Sequence, residues 1–568
     1  MLSKLENAPD TQTRKLRQQY INPSEAERDI RVTINAQLDN APRRLLNTFT
    51  RRLCDRVGQI NAFKTSTEYK ELLSSTLVHV DLRMERIKDV VEKYFRYVTL
   101  SHRWEEKEPR LNDIQDKVVD DLKSVVGIGK LQSFCKTARA VKYRWGWIDT
   151  CCINQADPTE VQKSLNSMFE WYSTSALTMV YLSDVSRSSK PRALARSEWN
   201  TRAWTLPELL APKVIRFYQN DWTPYLNDHS DNHKLSDAIV QELKDATEID
   251  AEALADFNCR KINARKKLQW ASTRVTTEQE DIAYSLFGIF DVQIHPMYGE
   301  RKEKVLGRFL EKVVAELGDI SALDWVGQSS KFNSCLPADI TSYKAPPYTP
   351  PSLSEHDVQT SISLLQQTAM DLALKLYALL ENLKAPRFAD RRLHLPCIAF
   401  RVTAVKRSRA QDQEIYEAKA DGLHDLLITT KDKLIQFSPP RPTMHTFLLV
   451  RPCNRYLDLP DFAEPSGLAE LPDVADDTQS KEGSWSAPGS PLQDSRGRFH
   501  EAQVSVDSKL SDRALRLTAR LTQPFGAFLL AQQRGGEYKR IASDHDIIAR
   551  VKNLSSIIPD MVKTLEIL

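Results

Sequence analysis

Residues 97–104 read YVTLSHRW, 145–155 WGWIDTCCINQ, 177–182 LTMVYL and 213–218 KVIRFY. Each begins as a short apolar run rich in β-branched or aromatic residues, the composition of a strand. The first ends on Ser101, His102 and Arg103, and the second on Asp149. Leu177 to Leu182 is almost continuously apolar, as for a strand covered on both faces. A helix is marked between the second and third runs: Asp157 can cap it, Pro158 suits its first position, and Glu160 can return a bond to the cap. Its stripe of Val161, Leu165, Met168 and Tyr172 lies on one helical face. Strands separated by helical crossovers predict an α/β domain with a parallel, doubly wound sheet. Ligands gather at the carboxyl ends of such strands.

That rule brings three polar clusters to one rim: Ser101-His102-Arg103-Trp104, then Asp149 to Gln155, then Trp199 to Leu210. In the last, Glu208 lies among Trp204, Leu206, Leu209 and Leu210. A carboxylate held against apolar and indole surface has its pKa perturbed by desolvation, which makes Glu208 a candidate functional acid. Its structural alternative is a helix-start acid that answers the macrodipole or pairs with Arg202. Asp149 could equally cap the turn after its strand, and His102 could be a turn residue at a strand end. Cys151 and Cys152 near His102 read as two small buried thiols rather than a nucleophile with its base. No His, Cys and carboxylate set has metal-ligand spacing.

Seven of the ten tryptophans fall between 104 and 222, so the chemistry is expected in a block from 94 to 222. Around it, residues 1–93 read as a charged helical region and 223–335 as a helical extension. Residues 336–389 hold a proline-rich linker, with five prolines from Pro337 to Pro351, and a helix. Residues 390–568 read as a β-rich domain on CIAFRVTAV, LLITT, TFLLV and LRLTARL, with a turn at Gly535 and Gly536. An acidic Ser/Pro/Gly-rich insertion at about 465–498 is expected to be disordered. The basic run Arg260, Lys261, Arg265, Lys266 and Lys267 reads as a solvated helix face.

With 79 Lys and Arg against 76 Asp and Glu, the 568-residue chain has no basic excess to track nucleic acid. An apolar fraction of 41% supports a sizeable core and excludes full-length disorder. No apolar run is long enough for a membrane-spanning helix, and the polar start lacks the centre of a secretory signal. The eight cysteines have no paired spacing, which points to free thiols in a reducing, cytoplasmic setting.

The blocks YVTLSHRW, WIDTCCINQ, SLNSMFEWYSTSALTMVYLSDV and WNTRAWTLPELLAPKVIRFY, in this order, resemble the signatures of the fungal heterokaryon-incompatibility (HET) domain, of a basidiomycete-like kind. Gln269 to Glu300 resembles the stretch that follows that domain, so the resemblance runs over about 95–310. It implies non-self recognition ending in programmed cell death after incompatible fusion, with other incompatibility or death-signalling proteins as partners and with self-association. The nucleotide-binding module and WD repeats of many relatives are missing here: GIGK at Gly127 to Lys130 is too short for a phosphate loop, and no repeat occurs.

A more distant resemblance is to TIR domains, whose Trp-Cys-Leu-x-Glu-Leu helix carries the NAD-cleaving glutamate of catalytic members. It implies a flavodoxin-like sheet, Glu208 as that acid and Trp204 as the helix-opening tryptophan. Ser101, His102, Arg103, Trp104, Asp149 and Arg202 would then hold the nucleotide, with Asp149 on a ribose hydroxyl. NAD is in that case a substrate, and no resident cofactor is implied. Pro207 fits only if it lies in the first turn of the helix. The alternative expectation is a non-enzymatic assembly module that recruits other death proteins.

Overall fold

Tyr97–His102 forms a strand buried along its whole length, and it organises the first of two units, Met1–Phe309 and Leu310–Leu568. The computed structural model describes residues 23–74, 80–122, 125–190, 192–349, 354–410, 413–432, 434, 446–453 and 510–568. The insertion expected at about 465–498 lies outside them.

The first unit holds a six-stranded sheet in the order β2-β1-β4-β3-β5-β6. Its strands are β1 (Leu45–Asn47), β2 (Arg52–Cys54), β3 (Tyr97–His102), β4 (Trp145–Trp147), β5 (Leu177–Tyr181) and β6 (Ile215–Tyr218). The last four are parallel. From β3 the chain steps outward to β4, then crosses back past β3 to β5, so the winding reverses between β3 and β5. Crossovers of one hand in opposite directions place their helices on opposite faces. The β3 carboxyl end is therefore a topological switch point.

The region expected to be helical from 1 to 93 also supplies the β1–β2 hairpin, which pairs antiparallel with β4. Three residues per strand are too few to show alternation in sequence, while Leu45 and Leu46 are fully buried. The hairpin and the helix Pro23–Asp39 thereby share the core of the sheet.

Trp145 and Trp147 lie on either side of Gly146, and a Cβ at Gly146 would sit 2.6 Å from Phe134 Cε1. The helix Ile128–Ala140 can approach β4 this closely only over a glycine. Each buried indole removes about 200 Å² from water, of order 5 kcal/mol at about 25 cal/mol per Å². The helix Pro158–Ser173 has Asp157 as its cap, accepting from the Thr159 and Glu160 amides. Glu160 itself bonds Arg44 and the Asn154 amide rather than the cap residue.

The basic run after 260 is solvated only in part: Arg260 and Lys261 are exposed and Lys266 is half-buried. Arg265 and Lys267 are 3% and 2% exposed in the helix Ala264–Ala271, and the Lys267 ammonium lies 4.6 Å from the centre of the Phe290 ring. Long aliphatic stems let such residues line a core and bring the charge to an aromatic face.

The second unit carries a nine-stranded sheet, consistent with a β-rich C-terminal region. Its long strand Arg392–Ala410 contains CIAFRVTAV, and a turn with Gly536 at φ 93° joins Phe525–Gln532 to Tyr538–Ile541. LRLTARL, read as a strand, is helical within 510–521. Ala514, Leu517, Thr518 and Leu521 are all buried; that spacing is a helical stripe, and Ala, Leu and Arg favour the helix. In the proline-rich stretch, Ile340 and Tyr343 are buried in a short 3-10 turn.

Candidate functional site: a closed carboxylate centre

At the switch point, the β3 carboxyl end meets the helix Thr205–Leu210, every residue of which is buried. Pro207 is its third residue, in the first turn, where no intrahelical acceptor exists for the missing N–H. Arg274, 5% exposed, braces the start of this helix. Its guanidinium donates to the Arg202 carbonyl at 2.9 Å and to Thr205 Oγ1 at 3.0 Å. Glu208 is thus aimed at the sheet, and its Oε2 accepts the Ser101 hydroxyl. Ser101 in turn accepts the indole N–H of Trp199 at 2.8 Å. The Tyr172 hydroxyl lies beside Glu208 and donates to the Leu100 carbonyl at 3.2 Å.

A second half adjoins the first. His102, the last residue of β3, has its Nε2 3.4 Å from Asp149 Oδ1, and neither ring nitrogen has a hydrogen-bond partner. The other Asp149 oxygen accepts the indole N–H of Trp104 at 2.7 Å. Trp104 is 40% exposed, so it covers Asp149 from the solvent side. Behind His102 lies a cavity of about 10 Å³ bounded by Leu100, Thr150, Gly127 and the buried ion pair of Lys130 with Glu108. That is room for one water.

Burial sets the charge states. It pushes Glu208 well above the usual carboxylate range, helped by the nearby Asp149 charge and opposed by Ser101, Tyr172 and Arg202. It pushes Asp149 up to about 6 against the Trp104 N–H. It holds His102 well below the ordinary imidazole value, with Lys130 and Arg202 acting in the same direction. The centre therefore favours the neutral forms of Glu208 and His102 over their charged forms, beside an Asp149 pushed up to about 6.

Of the residues singled out in the sequence, the structure gathers Ser101, His102, Trp104, Asp149 and Glu208. Arg103 leaves the centre and pairs with Glu198 at the surface. Arg202 contributes its carbonyl to Arg274 and its charge to the surroundings of Glu208 and His102. Trp204 turns to the helical extension, where its N–H donates to Asp281 at 2.8 Å. The indole on the Glu208 side of the centre is that of Trp199, bonded to Ser101. Sequence reading left out Trp199, Tyr172, Arg274 and Asp281; the first two already lay in the quoted blocks. The centre is closed, with Glu208 only 3% exposed. Among the described residues, no three His, Cys, Asp or Glu side chains gather as for a metal ion, and no helix is long and apolar enough to cross a membrane.

Residues 97–195 match the family model described as Heterokaryon incompatibility protein (HET). The match spans β3, β4 and β5 with Ser101, His102 and Asp149, and ends before Trp199 and Glu208. A particular relative is the vegetative incompatibility protein HET-E-1 of Podospora anserina, 35% identical over 238 residues, which are 40% of this chain. The aligned region is 17% of that protein's length. No solved structure matches the chain.

Proposed function

We propose that the chain acts in heterokaryon incompatibility, in non-self recognition that ends in programmed cell death. It would work in the cytoplasm with other incompatibility or death-signalling proteins and through self-association. The observation that carries this reading is the family match over the three central parallel strands. The closed centre favours a signalling module whose polar core is shut at rest. Expression of the chain in a compatible fungal background tests it: growth arrest and lysis are expected, and normal growth at confirmed expression overturns it.

A second reading, NAD cleavage at a TIR-like site, is favoured by one specific feature. Two carboxyl groups with raised pKa and an imidazole that faces one of them at 3.4 Å sit together at the switch point, where α/β sheets bind ligands. In that reaction the ribose C1′–N bond breaks and its electron pair neutralises the nicotinamide ring. Glu208, ionised once solvent enters, stabilises the oxocarbenium ion. Water then adds at C1′ and releases a proton, giving ADP-ribose and nicotinamide. A cavity of about 10 Å³ does not admit a ribose, so this chemistry requires the Trp104–Asp149 contact to open. Nicotinamide release by concentrated purified protein, abolished in Glu208→Gln, is the expected result. No release by wild type, with cell death retained in Glu208→Gln, overturns the enzyme and leaves the assembly module.

A further inference from the structure

On the far side of β4 from Glu208, a second cavity opens at the same carboxyl edge of the sheet, with a volume of about 450 Å³. That lies within the range of small-molecule sites. Its floor is Trp147, Cys152 and Ile153, the half-buried ring of Trp171 forms a wall, and Arg43 and Lys163 stand on its rim. Trp147 and Trp171 meet edge to face with centroids 5.5 Å apart, which fixes the wall in place.

The acids that share this lining are already engaged. Asp39 faces Arg56 at 3.6 Å. Asp157 accepts two amides as a helix cap. Glu160 is held by Arg44, which also donates to the Cys152 carbonyl at 3.2 Å. Arg43 and Lys163 remain without an ion pair among the described residues. A pocket with an aromatic floor and wall, polar sides and two cations outside any ion pair among the described residues is complementary to a planar body with an anionic group.

We infer that this cavity is a binding site for a small aromatic anion, its ring against Trp171 and its phosphate or carboxylate on Arg43 and Lys163. The site is separate from the Glu208 centre, although the short helix Asp149–Cys152 borders both. Asp149 belongs to one, and Cys152 lines the other.

Nucleotides and aryl carboxylates share this chemistry, so the full-length chain is titrated with adenosine monophosphate and with salicylate. Tryptophan fluorescence and calorimetry follow binding, with adenosine and inorganic phosphate as the separated halves. Saturable binding of at least one aromatic anion is expected, and each half alone binds at least tenfold more weakly. Both cations are exposed, so the double variant Arg43→Ala, Lys163→Ala is expected to fold normally and to lose at least tenfold in affinity. Ser167→Trp, which fills the cavity from the helix Pro158–Ser173, abolishes binding with an unchanged circular dichroism spectrum. Glu208→Gln leaves binding as in wild type. Failure of both anions to bind, or binding indifferent to the double variant and to Ser167→Trp, overturns the inference.

Discussion

Two buried charged centres, one in each unit, solve the same problem in opposite ways. Arg540 in the second unit is 4% exposed. Its guanidinium lies 4.0 Å from the centre of the Trp325 ring and 3.9 Å from that of Phe528. It donates to the Leu323 carbonyl at 2.6 Å and to the Trp325 carbonyl at 3.0 Å. Planar faces and donors are both used, which is how a buried guanidinium is made tolerable. In the Glu208 centre, His102 has two unpartnered nitrogens and Asp149 one unpartnered oxygen. A fully satisfied centre specifies a fold; one left short of partners is costly and has to be held by its surroundings.

The sharpest test of the satisfied centre is Arg540→Leu. It strands the carbonyls of Leu323 and Trp325, and the expected loss is about 2–6 kcal/mol, roughly 1–3 for each buried acceptor left without its donor. Denaturant unfolding followed by circular dichroism reads this directly. Arg540→Lys does not restore stability, because an ammonium lacks the planar fork that reaches both carbonyls between two rings. A stable Arg540→Leu protein would erase the contrast between the centres.

Glu208 comes next. Burial favours its protonated form, so Glu208→Gln, which keeps the shape and a hydrogen bond with Ser101, is expected to change stability by less than about 1 kcal/mol. Glu208→Ala opens a hole and leaves the Ser101 hydroxyl without its acceptor, costing about 2–3 kcal/mol. Equal losses in the two variants, measured by thermal unfolding at pH 7, would mean that Glu208 is ionised in the fold.

How much of this was legible in sequence follows from the range of the interactions. The strands from Tyr97 to Tyr218 showed themselves because buried parallel strands are written as local apolar runs, and the helix after Asp157 because its cap is local. The β1–β2 hairpin was not legible, since strands of three residues carry no period. Nor was the phase of the two indoles. Trp199 and Trp204 are five residues apart, and which one faces Glu208 depends on the 3-10 turn Glu198–Thr201 and on Asp281, far along the chain. The same holds for Lys267, whose burial depends on Phe290. Closure of the centre is likewise a property of packing, and the residues of the centre could be named without it.

Asp149 gives the centre a pH signature. Its carboxyl, ordinarily at 3.8, is pushed up to about 6. Between those values the folded chain holds a proton that the unfolded chain has released. The contribution of this group to stability is complete below pH 3.8 and is lost as the pH rises through 6. His102 acts with the opposite sign: its imidazole is held down, so its contribution is lost as the pH falls below the ordinary imidazole value of about 6.5. Asp149→Asn is therefore expected to raise stability by about 3 kcal/mol at pH 7.5 and to leave it unchanged near pH 3.5. Melting temperatures across that range check the sign, and a gain that is uniform with pH would assign the effect to packing.

The smallest expected effect separates the two indoles. Trp199→Phe keeps most of the buried ring and deletes the N–H that holds Ser101, a loss of about 1 kcal/mol. With that donor gone, Ser101 can turn away from Glu208, and the Glu208 carboxyl rises further. Trp204→Phe removes a bond of the same length, but Asp281 keeps the Tyr298 hydroxyl at 2.9 Å, and the Glu208 centre is untouched. The carboxyl titration of a 13C-labelled Glu208, followed by NMR, distinguishes the pair: it moves in Trp199→Phe and stays in Trp204→Phe. A shift in both would mean that the Thr205–Leu210 helix moves as one piece, and the centre would then owe its state to the whole helix rather than to Trp199.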